Sequence, residues 1–209
     1  MLPVEIAPGL LRWTAPHPDW CAQDDWERDV GCVLYEAPDA LVLIDPLLAT
    51  AGRDEFLAWL DRRVAGRMVS VLTTIHWHER DRHELIERYC TDSSLAPNRI
   101  PAGVKPWPLR EAGETMFWLP DAATLVPGDR LIGAADGGLQ VCPQDWLDQA
   151  HVDRAGLATL MGPLLELPIE RVLVSHGEPV LRDGRAALSR ALAAAVSAGV
   201  SEPKRGGER

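Results

Sequence analysis

Basic residues are scarce in this 209-residue chain: 21 Lys and Arg face 31 Asp and Glu, a formal net charge of −10. Nucleic-acid binders draw affinity from cations that neutralise phosphates, so this balance excludes a general nucleic-acid binder. It also disfavours an anionic membrane surface. A small anionic substrate stays open, because a bound metal reverses the local field. Long apolar runs are missing too. None approaches the roughly 20 residues that span a bilayer, and no basic leader opens into an apolar stretch as in a signal peptide. The cysteines are few: Cys21, Cys32, Cys90 and Cys142 lie scattered, with no C-x-x-C pair. That pattern fits reduced thiols in a cytoplasmic protein, which is the expected location. There is no P-loop, no G-x-G-x-x-G and no G-x-S-x-G, so neither a phosphate cradle nor a serine hydrolase is supported. No internal repeat has a fixed period, and no Pro/Gly/Ser-rich linker cuts the middle.

What is present suits one domain over residues 1–200, with a disordered tail at 201–209. The hydrophobic fraction of 46% and the charged fraction of 25% are ordinary for a soluble globular protein. RWTAPHPDWCAQDDWERD reads as a short strand over 10–14 and a long loop, a kind of segment that is often functional. GCVLYEA and ALVLIDP read as strands joined at Pro38-Asp39. A helix is expected over 54–65, where Phe56, Leu57, Trp59, Leu60 and Val64 share a face and Gly66 suits a left-handed cap. The strand VSVLTTI, the cluster HWHERDRH and a helix to about Tyr89 follow. Residues 95–133 read as strands with turns, clearest in TMFWLP and ATLVPGDRLIG, and 144–167 as mixed helix. RVLVSHG reads as a strand before a helix over 183–198, where Leu188, Leu192 and Val196 form a core-facing stripe. The alternation predicts a layered α/β architecture.

The strongest chemical signal is His76-Trp77-His78 at the end of an apolar strand. In extended chain, residues i and i+2 share a face, so two imidazoles converge at the strand's carboxyl end. Imidazole is a common ligand of zinc and iron. The plainer alternative is a pair of surface histidines at a strand-to-helix turn. Asp81 precedes Glu84 at capping-box spacing and reads equally as an N-cap, a metal ligand or a base for water. His83 reads as an ordinary helix residue or an additional ligand. Asp129 in LVPGDRL follows a strand and a glycine. His176 in VLVSHGEP ends another apolar strand, and the next glycine permits an unusual turn. In the N-terminal loop, Trp20, Trp26 and His17 either line a pocket or pin the loop, and Trp13 reads as a core anchor.

In order, LVLIDP, HWHERDRH, LVPGDRL and VLVSHGEP resemble the metallo-β-lactamase superfamily over residues 10–195. The resemblance implies a four-layer αββα sandwich of the metallo-β-lactamase type. It implies that Asp45 is a supporting acid, His76 and His78 ligands of a first metal, Asp129 a bridging carboxylate and His176 part of a second site. The chain departs from the family signature at its centre: read without a gap, Arg80 and Asp81 stand where the signature has Asp and His, and read with a one-residue insertion, Asp81 takes the Asp position and Arg82 that of the final His. No histidine lies between His83 and His151, so the family's later lone histidine is absent.

The expected function is a metal-dependent hydrolase that activates water at one ion, or at two. The ion is zinc, with iron and manganese as alternatives, and the substrate is a small ester, thioester, amide or phosphate. Asp81 would orient or deprotonate the water, Arg80 or Arg82 would hold an anionic group, Trp20 would touch substrate and His17 could replace the missing ligand. The rival is a non-catalytic protein of the same fold that binds no metal and uses the cleft for a ligand or partner. The expected partner is a small molecule, with no nucleic acid and no membrane.

Overall fold

The apolar strands of this chain divide their residues between two surroundings at a period of two. The computed structural model describes residues 2–90 and 99–201, with eleven strands and four α-helices among them. The first half runs β1 (Val4–Ala7), β2 (Leu10–Pro16), β3 (Asp29–Glu36), β4 (Leu41–Ile44), α1 (Arg53–Val64), β5 (Val69–Leu72) and α2 (Arg82–Tyr89). The second runs β6 (Lys105–Leu109), β7 (Glu114–Leu119), β8 (Thr124–Val126), β9 (Leu131–Gly133), β10 (Leu139–Val141), α3 (Arg154–Met161), β11 (Arg171–Val172) and α4 (Gly184–Ser201).

Strands β1 to β5 form one sheet in chain order, and β11-β8-β7-β6 form a second. On β4, Leu41 and Leu43 pack with Phe56 and Leu60 of α1 and Leu85 of α2. The alternate residues Val42 and Ile44 face Phe117, Leu119 and Val126 of the second sheet. On β7, Met116 and Trp118 turn the other way, onto Leu157 and Met161 of α3 and Leu188 of α4. Both faces of both sheets are therefore covered, which is why these strands read as continuous apolar runs. The result is the four-layer αββα sandwich.

Four elements differ from the sequence reading, the first being the RVLVSHG strand, whose ladder ends at Val172. β1 has no buried residue and pairs as an edge strand, so it carries no apolar alternation to read. On α4, Leu188 and Leu192 are buried but Val196 is 43% exposed, with Ala195 in its place. Each step of four residues overshoots a full helical turn by about 40°, so the third member of the stripe has rotated off the core. The ladder of the VSVLTTI strand ends at Leu72, because the Thr74 N–H turns instead to a carboxylate oxygen of Asp45 at 2.8 Å. The tail from residue 202 and the start of the 95–133 reading, through residue 98, lie outside the described residues. Among the described residues no helix is long and apolar enough to cross a membrane.

β4 and β5 are parallel, as are β8 and β11. The segments after their carboxyl ends carry Asp45, His78, Asp129 and His176. Two parallel pairs in facing sheets thus direct four chemistry-bearing turns to one rim, the usual place for a site in α/β sheets.

Candidate metal centre

Asp45 sits just beyond β4 in a left-handed conformation, φ 49°. Its carboxylate takes the Thr74 N–H and the Thr74 hydroxyl, and Oδ2 lies 2.9 Å from His78 Nδ1. The buried His78 ring is thereby oriented, with Nε2 3.1 Å from Asp129 Oδ1. His176 Nε2 approaches the same oxygen at 3.3 Å. One ligand atom each from His78, Asp129 and His176 lies within 4.8 Å of the others, and all three side chains are buried.

The other Asp129 oxygen accepts a 2.6 Å bond from Trp77 Nε1. Oδ1 has no hydrogen-bond partner. Glu114, at the start of β7, accepts the N–H groups of Gly128 and Arg130 and so braces the turn that presents Asp129. His176 is held differently. Its ring meets Trp26 and Trp146 edge-on, with centroids at 5.2 and 5.5 Å, and its Nδ1 has no partner. Gly177 follows at φ 78°, and a Cβ there would lie 2.9 Å from the Gly133 Cα, so the turn requires glycine.

The electrostatics follow from this packing. Burial works to lower the His78 pKa, but the Asp129 and Asp45 carboxylates prevail and push it up to about 9. Burial opposes ionisation of Asp129, yet His78 and His176 hold it well below the usual carboxylate range. Burial pushes Glu114 up to about 7. His17 is lowered by burial and then by Arg80.

A cavity of about 370 Å³ opens onto the cluster and is lined by His78, Asp129 and His176 together with His17, Arg80, Trp26, Trp77 and Trp146. Arg80 adopts φ 41° and ties the two sheets together. Its guanidinium donates to Asp45 O at 2.9 Å, Gly31 O at 3.3 Å and Ser175 Oγ at 2.9 Å.

Several sequence candidates lie elsewhere. His76 is exposed and does not join His78. The expected convergence assumed extended chain, but His76–Glu79 is a 3-10 turn. At about three residues per turn, i and i+2 point in different directions. His76 instead lines a separate, larger cleft of about 430 Å³ with Glu79 and Arg82, which holds none of the three convergent donors. Asp81 precedes α2 but makes no side-chain cap. Its oxygens bind Leu48 N at 2.6 Å and Arg53 at 2.9 Å, away from the cluster. His83 is exposed and faces Glu87 at 3.4 Å. Trp20 does not line the cavity; its Nε1 bonds Trp26 O and pins the loop. Trp13 is a core residue. Trp77, Trp146 and Glu114 escaped the sequence reading. Glu114 left one weak signal, a lone acid opening an apolar strand; Trp146 left none, because its partners come from distant segments.

No protein-family model matches the sequence, and no curated protein matches it. Solved structures do. The NDM_FIM-1-like metallo-β-lactamase of Erythrobacter litoralis, in its mono-zinc form, is 17% identical with TM-score 0.61, covering 93% of this chain and 96% of that one. A metallo-β-lactamase from Pontibacter korlensis is 15% identical with TM-score 0.57, over 96% of this chain and 99% of that one. A metallo-β-lactamase family protein from Thermus thermophilus is 14% identical with TM-score 0.54, over 96% and 85%. At such identities the likeness establishes the fold: this chain has the metallo-β-lactamase fold.

Proposed function

We propose that the chain is a metal-dependent hydrolase with one ion, zinc by preference, held by His78, Asp129 and His176. The observation that carries the reading is Asp129 Oδ1. It is a buried carboxylate oxygen without a hydrogen-bond partner, 3.1 and 3.3 Å from two imidazole Nε2 atoms. Buried polar atoms are rarely left so, and an ion at the site is a standard reason. Two histidines and one carboxylate are also a known ligand set for catalytic zinc; iron and manganese accept the same donors. The mono-zinc state of the Erythrobacter litoralis protein, on the same fold, agrees with a one-ion site.

Held by His78, Asp129 and His176, a divalent ion would supply the activation of water and the polarisation of a carbonyl or phosphoryl oxygen. The chain's own groups prepare for that. Asp45 fixes the His78 tautomer by taking Nδ1–H, which leaves Nε2 as the binding atom. Trp77 holds one Asp129 oxygen so that the other faces the imidazoles. His17 Nδ1 accepts the Asp19 N–H at 3.3 Å, so in its neutral form Nε2 carries the proton and serves as a donor to substrate. Arg80 supplies a fixed positive charge in the cavity. Asp81 has its oxygens engaged by Leu48 and Arg53, and no proton transfer is assigned to it.

The non-catalytic rival has one observation in its favour. With His78 protonated, its two ring nitrogens lie 2.9 and 3.1 Å from the Asp45 and Asp129 carboxylates, a charge-paired array that needs no metal ion. A panel of small esters, thioesters, amides and phosphates separates the two. The hydrolase reading expects turnover of at least one class that a chelator abolishes and added zinc restores. Turnover of none, or turnover indifferent to chelator, contradicts it.

A further inference from the structure

The loop from His17 to Asp29 forms one wall of the cavity, and its charge is unbalanced: Asp19, Asp24, Asp25, Glu27 and Asp29 against Arg28 alone. Asp24 is engaged by the Cys21 N–H at 2.7 Å, and Asp29 by Arg28 at 3.3 Å. Asp19 and Asp25 are the two acids that line the cavity, and both are exposed, which places them at its mouth. Among the described residues neither belongs to an ion pair. Asp25 Oδ2 accepts the Trp146 indole N–H at 2.9 Å, which leaves its other oxygen open. The walls between mouth and cluster carry Trp26, Trp77 and Trp146, each part-exposed. Deeper, His176 Nδ1 and Asp129 Oδ1 are buried and unpartnered in the same cavity.

Exposed carboxylates and part-exposed indole rings lining one cavity are chemistry that recognises an alkylammonium, and the Trp77 ring already takes a cation, the Arg130 guanidinium at 5.4 Å. The interior is mixed in charge, with the Arg80 guanidinium and the Asp129 carboxylate in one lining. Three protein oxygens already take Arg80 N–H groups, so it is poorly placed to receive a full carboxylate.

We infer that the cavity takes a small ester or amide with a positively charged amine or quaternary ammonium at the end left in the mouth, against Asp19, Asp25 and the tryptophans. The inference rests on the hydrolase reading only for which end of the molecule faces His78, Asp129 and His176; recognition of the cation does not need the metal.

Isothermal titration with acetylcholine and its neutral carbon isostere, 3,3-dimethylbutyl acetate, tests it on metal-depleted and zinc-loaded protein. Acetylcholine is expected to bind about tenfold more tightly than the isostere at low ionic strength, with the margin shrinking as salt is added. Asp25→Asn keeps an oxygen for Trp146 and removes only charge. Asp25→Asn and Asp19→Asn are each expected to cut the margin at least threefold and to leave isostere affinity unchanged. Equal affinity for the two probes, no binding of either, or a margin untouched by both substitutions would overturn the inference. A failed hydrolase reading looks different: zinc would be absent and turnover nil while the cation preference persisted.

Discussion

Asp45 makes no direct approach to the proposed ligand atoms of Asp129 and His176, yet it orients the His78 ring. Its carboxylate holds His78 Nδ1 at 2.9 Å and ends the β5 strand by taking Thr74 N–H. Asp45→Asn keeps the shape but offers one carboxamide oxygen in place of two charged ones. Zinc affinity is expected to fall about 10–100-fold, as for other partners of metal-bound histidines. Competition with a chromophoric chelator measures it, and unchanged affinity would remove Asp45 from the site. The same cluster sets a pH dependence in the metal-free protein. His78 is raised from 6.5 to about 9, so its stabilising contribution is complete below pH 6.5 and is lost as pH rises through about 9. Glu114 is raised to about 7 and acts with the same sign, between its ordinary 4.5 and that value. Asp129 is depressed, so its contribution holds above 3.8 and fades as pH falls toward its folded value. The urea midpoint of metal-free protein is therefore expected to drop between pH 6.5 and 9, and to drop less in Asp45→Asn. A midpoint that is flat or rising over that range would contradict this assignment.

At the scale of elements, the site is a set of strand ends held in register by a few close approaches. Gly31 of β3 donates its N–H to Ser175 O at 2.7 Å, one residue before His176. A Cβ at Gly31 would lie 2.4 Å from Val174 O and 2.9 Å from the Arg12 guanidinium. Gly31→Ala is expected to cost about 1–3 kcal/mol, the usual range for overpacking, and to weaken zinc binding by displacing the His176 segment. Urea unfolding and zinc titration of the variant check both. The strands and helices around the site were legible because burial on both faces leaves long apolar runs, as in LVLI and TMFWL. The edge strand β1 left no such trace. The candidate site was legible by halves. His78, Asp129 and His176 lie in the segments that follow readable strands. His76 was misplaced because the local chain after Ile75 is a 3-10 turn, closed by the His78 N–H on Ile75 O. The Thr74 bonds to Asp45 are long-range, and spacing alone does not show them. Trp77, Trp146 and Glu114 owe their roles to partners 14 to 121 residues away, which no local pattern encodes.

Over the whole molecule, three apolar clusters lie between four layers, and the polar cluster is confined to the rim where the two sheets meet. The outer layers and the inter-sheet core come from sequence periodicity, and the fold they build is one the chain shares with proteins under 20% identical to it. The rim is where it departs from the resemblance. Arg80 ties the sheets together with its guanidinium, and Asp81 is bound to Arg53. Three convergent donors then remain, and that number is compatible with a single ion. Elemental analysis of protein purified without added metal, beside His78→Ala and His176→Ala, addresses this most directly. About one equivalent of zinc, iron or manganese per chain is expected, falling below a tenth in both variants. Less than a tenth of an equivalent in the parent protein, unchanged by either substitution, would contradict the metal centre and leave the charge-paired Asp45–His78–Asp129 array as a ligand-binding site.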